Sequence, residues 1–113
     1  MIRVYHNPRC TKSREALAYL DEKGLEYEVV EYMKEPLTPM DLESVLEALD
    51  MSAEDLIRTN ESVWKDDFKG KELDEDELIL AMIEHPKLMQ RPIVLNAGKA
   101  VVARPAEEIE KVL

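Results

Sequence analysis

Cys10 is the sole cysteine of the 113-residue chain and lies in the stretch Tyr5-His6-Asn7-Pro8-Arg9-Cys10-Thr11-Lys12-Ser13-Arg14. A cysteine acts as a nucleophile through its thiolate, so the chemistry open to it depends on what favours the anion. Arg9, Lys12 and Arg14 are cationic and His6 can become so, all within four residues of the sulfur. Charges that stabilise a thiolate also attract an oxyanion, so this stretch suits attack on a substrate that is itself negative. A lone cysteine is otherwise commonly a small buried hydrophobe. A proline turn and several cations around it are unusual surroundings for that role.

The elements flanking Cys10 decide whether those charges can act on it. Ile2-Arg3-Val4-Tyr5 reads as a short strand, and Ala16, Leu17 and Leu20 give helical apolar spacing from about Thr11 to Lys23. Pro8 suits the intervening turn, and Gly24 suits the left-handed stop after the helix. Cys10 thereby falls at the start of a helix, where free backbone N–H groups and about half a positive charge favour an anion.

Beyond the helix, Leu25 to Tyr32 reads as a second strand, which makes a parallel strand–helix–strand unit with a right-handed crossover. Thr38 caps a helix with Pro39 at its first position and Leu42, Val45, Leu46 and Leu49 on its apolar face. Ser52 starts a shorter helix running to about Ile57. Glu61 to Leu73 has weak periodicity, with Trp64 and Phe68 as expected anchors of an irregular or partly helical connection. Asp74 to Glu84 reads as helix, stopped near His85-Pro86. Gln90 to Asn96 and Ala100 to Ala103 form a hairpin about Ala97-Gly98, and Pro105 opens a last helix carrying Ile109, Val112 and Leu113. A parallel unit first, an antiparallel hairpin last and helices between them predict an α/β fold. Its expected form is a thioredoxin-like mixed four-stranded sheet with a helical insertion at about 36–88, all in one domain spanning 1–113.

The composition is 45% hydrophobic and 35% charged, as in ordinary globular domains. A net charge of −10 argues against nucleic acid and anionic membranes as partners. The acid is unevenly spread, since residues 2 to 14 carry Arg3, Arg9, Lys12 and Arg14 and no carboxylate. No apolar run reaches membrane-spanning length and no signal region precedes the first strand, so a cytoplasmic location is expected. One cysteine allows no internal disulfide, so a disulfide formed in turnover would have to join another molecule. One cysteine and two distant histidines offer no metal-ligand spacing, and three scattered glycines form no phosphate loop.

Several separated motifs, in order along nearly the whole chain, resemble the glutaredoxin-coupled arsenate reductases of the ArsC family. They are Tyr5-His6-Asn7-Pro8, Cys10 with Ser13-Arg14, Leu56-Ile57-Arg58 with Asn60, His85-Pro86, Arg91-Pro92-Ile93-Val94 and Arg104-Pro105. The resemblance implies Cys10 as nucleophile, Arg58, Arg91 and Arg104 as the guanidinium groups on the oxyanion, and Pro92 as a cis-proline beside the cysteine. It implies that His6 helps keep the cysteine ionised, and that His6, Lys12, Ser13 and Arg14 line the substrate. The implied reaction reduces arsenate to arsenite with glutathione as co-substrate, glutaredoxin as partner and no bound cofactor.

Guanidinium suits the task because it stays charged and offers a planar fork to pairs of oxygens. Each arginine could instead form a surface ion pair with one of the many acids, and His6 could be a turn histidine bonded to backbone. The small tyrosine phosphatases and the thioredoxin-linked reductases they resemble carry an arginine six residues after the nucleophile, a position held here by Ala16. Two other functions fit the same fold. One is an Spx-type regulator binding RNA polymerase, whose usual Cys-x-x-Cys switch is interrupted here by Ser13. The other is a general glutathione-dependent thiol reductase, which needs no oxyanion clamp.

Overall fold

The computed structural model describes all residues, 1–113, and divides them into two compact units, one of residues 1–35 and 91–113 and one of residues 36–90. The first is built on a four-stranded sheet of β1 (Ile2–Tyr5), β2 (Tyr27–Val30), β3 (Ile93–Asn96) and β4 (Lys99–Val102), in the order β2-β1-β3-β4. β1 runs parallel to β2, with Val4 opposite Val29, and antiparallel to β3, with Val4 opposite Val94. β3 and β4 form the expected hairpin, Val94 facing Val101. The mixed sheet is the one the element order predicts. The strands are shorter than the apolar runs because Leu25-Glu26 and Gln90-Arg91-Pro92 lie outside the ladders.

Helix α1 (Thr11–Glu22) buries Ser13, Ala16 and Leu20, the 3.6-residue stripe that turns its inner face to the sheet. Lys23 is its C-cap, and Gly24 takes φ +69°, the left-handed conformation expected after the helix. One core cluster gathers Ile2, Val4, Ala16, Leu20, Val94, Ala103, Ile109 and Val112. The last two belong to the C-terminal segment Ala106–Val112, which is a 3₁₀ helix and not the α-helix expected after Pro105. Its buried residues, Ile109 and Val112, stand three apart, the spacing that a three-residue turn keeps on one side. On its outer side, Glu110 accepts a hydrogen bond from the Tyr19 hydroxyl and pairs with Lys23 at 2.7 Å.

The second unit is helical. In α2 (Pro39–Leu49) the Thr38 hydroxyl accepts from the Asp41 N–H at 3.1 Å while the Asp41 carboxylate accepts from the Thr38 N–H, a complete capping box. Asp74 and Glu77 make the same reciprocal pair at the start of α5 (Glu75–Glu84). Helix α3 (Ala53–Leu56) is shorter than expected and is capped from a distance. Ser52 directs its hydroxyl to the Asp55 carboxylate, and the Ala53 N–H is taken by both oxygens of Glu75 at 3.0 Å. The stretch read as irregular or partly helical is partly helical, with a short helix, α4 (Ser62–Asp67), and Trp64 stacked on Phe68 at 5.7 Å between ring centroids. Phe68 in turn meets His85 edge-on. No helix of the chain is long and apolar enough to cross a membrane.

The hairpin turn places both Ala97 (φ +51°) and Gly98 (φ +81°) in the left-handed region. Asparagine tolerates that conformation better than alanine and is favoured before glycine in such turns. Ala97→Asn should therefore raise unfolding stability by about 0.5–1 kcal/mol. Urea titration of both proteins checks this, and unchanged or lower stability contradicts it.

Candidate active site

The loop after β1 is tied by Asn7. Its carbonyl accepts from the Cys10 N–H at 2.9 Å, its side-chain oxygen accepts from the Arg9 N–H at 3.0 Å, and its own N–H donates to the Ser13 hydroxyl at 3.4 Å. These bonds close a tight turn and set Cys10 as the N-cap of α1, with extended dihedrals of −97° and 122°. In the sequence, Asn7 stands out only as part of the Tyr5-His6-Asn7-Pro8 motif. The habit of asparagine of bonding the backbone two residues on was the available signal for its organising role.

Cys10 is a free, half-buried thiol. Its sulfur makes no formal cap hydrogen bond, yet its surroundings favour the anion. Burial pushes the thiol pKa up. The Ser13 backbone N–H, the Arg91 charge, the Lys12 N–H and the Ser13 hydroxyl together outweigh burial and hold it below the ordinary thiol value. The helix start therefore acts through its N–H groups, as predicted, whereas the side-chain charge acting on the sulfur is that of Arg91, far off in sequence.

The neighbouring cations are otherwise engaged. Lys12 pairs with Glu15 at 3.5 Å, and the Arg14 guanidinium donates to the Thr11 hydroxyl at 3.2 Å on the exposed side of α1. Arg9 is exposed. Ser13 is fully buried, turned beneath the loop toward the Asn7 N–H. His6 is buried too, and its Nδ1 has no hydrogen-bond partner. Burial keeps the His6 pKa below its ordinary value, against upward pulls from Glu31 and the Ser13 backbone, with Arg14 pushing further down. Burial thus favours the neutral imidazole.

Arg91 is the residue of this unit that most needs explaining. Its Nε and Nη1 atoms are buried and carry no hydrogen-bond partner. A guanidinium with buried, unpaired donors is costly unless an anion completes it. The following Pro92 is fully buried and the Arg91–Pro92 peptide bond is cis. The Arg104–Pro105 bond is cis as well, a feature not anticipated, and Arg104 is exposed with its guanidinium free of any ion pair. Sequence counts place ten basic and ten acidic residues in this unit against five and fifteen in the helical one, so the net charge of −10 belongs wholly to the latter.

Arg58 belongs to the helical unit. It follows α3 in extended backbone, where Ile57 bridges Met89 in antiparallel fashion and the Arg58 N–H donates to the Leu88 carbonyl at 2.6 Å. Its Nη1 donates to Glu61 at 2.6 Å in a largely buried pair, a partner that the i,i+3 spacing made available. No cluster of three His, Cys, Asp or Glu side chains that could hold a metal ion forms anywhere in the chain.

The lowered thiol pKa has a sign that can be tested. An acid with a depressed pKa deprotonates at lower pH, so alkylation of Cys10 by iodoacetamide should reach half its maximal rate at a lower pH than for the same thiol in the unfolded chain. The same shift adds folding stability above the unfolded-state pKa, which is lost as pH falls through the folded-state value. Ser13→Ala removes the hydroxyl contribution and should move the alkylation midpoint upward. A midpoint unchanged by this substitution would contradict the role given to the hydroxyl.

The chain is 44% identical to the uncharacterized protein YfgD of Escherichia coli K12, over 99% of this chain and 96% of that one. It is 43% identical to an arsenate reductase of Neisseria meningitidis, over 99% and 97% respectively. An arsenate reductase structure from Vibrio cholerae superposes with a TM-score of 0.94 at 35% identity, covering 99% of this chain and 97% of that one. The ArsC family's sequence profile matches residues 5–112, and the chain belongs to the ArsC family.

Proposed function

We propose that the protein reduces arsenate to arsenite, with Cys10 as nucleophile, glutathione as the thiol co-substrate and glutaredoxin as the protein that restores Cys10. The observation that carries this reading is Arg91, whose buried Nε and Nη1 have no partner while its charge favours the Cys10 thiolate. Nε and Nη1 lie on different edges of the guanidinium, each edge completed by Nη2, and either edge can offer a planar fork to two oxygens of a tetrahedral oxyanion. Arsenate reductases among the relatives agree with that class of substrate. A reductase acting on protein disulfides has no use for such a fork.

The first step joins sulfur to arsenic. The Cys10 thiolate attacks the pentavalent arsenic, an S–As bond forms, and an arsenic-bound oxygen departs as water once protonated. Arg91 offsets the charge shared by the two anions, with exposed Arg104 as a second donor. Arg58, carried by a helical insertion in a single thioredoxin-like domain, is the third guanidinium, a part that rests on the family resemblance. Lys12, Ser13, Arg14 and His6 border the substrate, and Pro92 shapes the backbone before β3.

In the second step the glutathione thiolate attacks the Cys10 sulfur. An S–S bond forms, the S–As electron pair remains on arsenic, and trivalent arsenite leaves. Two thiols have then supplied the two electrons. A glutaredoxin thiol takes glutathione from Cys10 by thiol–disulfide exchange, returning the Cys10 thiolate. Because Cys10 is the sole cysteine, the chain has no internal thiol to do this.

The test is arsenite formation by the purified protein with arsenate, glutathione and glutaredoxin. Turnover dependent on all three supports the proposal. Absence of arsenite with every component present overturns it.

A further inference from the structure

The segment that carries Arg58 is held in place by a residue to which no role has been given. The Gln90 side chain donates from Nε2 to the Asp55 carbonyl at 2.9 Å, and its backbone N–H donates to the Leu56 carbonyl at 3.0 Å. With the Ile57–Met89 bridge and the Arg58 N–H on the Leu88 carbonyl, these bonds form a small antiparallel ladder between residues 55–58 and 88–90. At its other end, α3 is fixed by Glu75 on the Ala53 N–H. Helix α3 has only four residues and cannot hold the exit direction of the chain by its own hydrogen bonds. The side-chain amide bonds the carbonyl of Asp55, in the last turn of α3, where helix carbonyls lack internal partners.

The consequence falls on one side chain. Arg58 donates from Nη1 to Glu61, while Nε and Nη2 have no protein partner. A guanidinium left with two free donors is useful to an oxyanion only if its backbone origin is fixed, since small displacements at a binding fork are costly.

We propose that Gln90 is a positioning residue for Arg58, setting the guanidinium for the oxyanion by clamping the end of α3. This rests on the reading of Arg58 as an oxyanion ligand. Gln90→Leu keeps the size of the side chain and the backbone N–H but removes the amide donor. It should raise the KM for arsenate about three- to tenfold, the scale of one hydrogen bond, with kcat changed less than KM. In an Arg58→Ala background the same substitution should have no further effect on KM, because the group it positions is gone. A merely structural role would give equal increments in both backgrounds.

Steady-state kinetics of wild type, the two single variants and the double variant provide the test. A KM effect confined to the Arg58 background supports the proposal. An unchanged KM in Gln90→Leu, or the same increment with and without Arg58, overturns it. An Arg58→Ala variant with unaltered arsenate kinetics would instead overturn the reading of Arg58 itself, and the positioning role with it. Should Gln90→Leu fail to fold, Gln90→Glu serves the same cycle, since a carboxylate cannot donate to the Asp55 carbonyl.

Discussion

Cys10→Ser should reduce arsenite formation by about a thousandfold or more under conditions where the wild type turns over with glutathione and glutaredoxin. The serine is smaller in reach, but the decisive difference is ionisation. The same N–H groups and Arg91 charge that favour the thiolate cannot deprotonate an alcohol near neutral pH. Serine also forms no disulfide with glutathione, so the electrons of the second step have no route. The fold should be untouched, because Cys10 is half-buried at a helix start and its backbone bonds to Asn7 and Arg14 do not involve the sulfur. Arsenite assay alongside thermal unfolding separates the two effects. A serine variant with undiminished turnover would end the covalent mechanism.

The second large effect is expected at Arg91. Arg91→Leu removes the charge that favours the thiolate and the fork proposed for the oxyanion, and should lower kcat/KM for arsenate by about 10²–10³. Two readouts distinguish this from simple loss of packing. The alkylation midpoint of Cys10 should rise, since one of the causes holding it down is gone. Stability should not fall in proportion, because replacing a guanidinium with unpaired buried nitrogens by an apolar side chain relieves a desolvation cost. Arg91→Lys keeps the charge as a point and should recover the midpoint better than the catalytic rate, since the fork is lost. Equal kcat/KM in Arg91→Leu and wild type would mean that the guanidinium is structural.

Much of the scaffold was legible because local chemistry and fold agreed. Pro8 before Cys10, the spacing of Ala16 and Leu20, and the Thr38-Pro39 start of α2 each state a conformation within a few residues, and each is found. The hairpin was legible from Ala97-Gly98 between two apolar runs. What escaped was set by partners distant in sequence. The capping of α3 by Glu75, twenty-two residues on, has no local signature. The 3₁₀ form of Ala106–Val112 differs from an α-helix only in whether i+3 or i+4 contacts win, and burial of Ile109 and Val112 decides that in the folded core.

At the site, the sequence pointed correctly to a thiol at a helix start but overcounted the local charges. Lys12 pairs with Glu15 and Arg14 donates to Thr11, while burial of His6 favours its neutral form. Ser13 stood in the sequence as a residue the resemblance sets at the substrate, and its full burial beneath Asn7, which makes it part of what lowers the thiol pKa, has no local signature. Arg91 could be suspected only from its place before a proline at a strand boundary. Its unpaired nitrogens become visible when β3 is laid antiparallel to β1 and brings the sequence around residue 91 to the loop that follows Tyr5.

The central claim is that the Cys10 thiolate and the Arg91 guanidinium share one oxyanion. The rate of Cys10 alkylation by iodoacetamide, measured against increasing arsenate at fixed pH in the absence of glutathione, tests it most directly. Saturable protection in the wild type, lost in Arg91→Leu, is the predicted result. A wild-type alkylation rate indifferent to arsenate would contradict the claim.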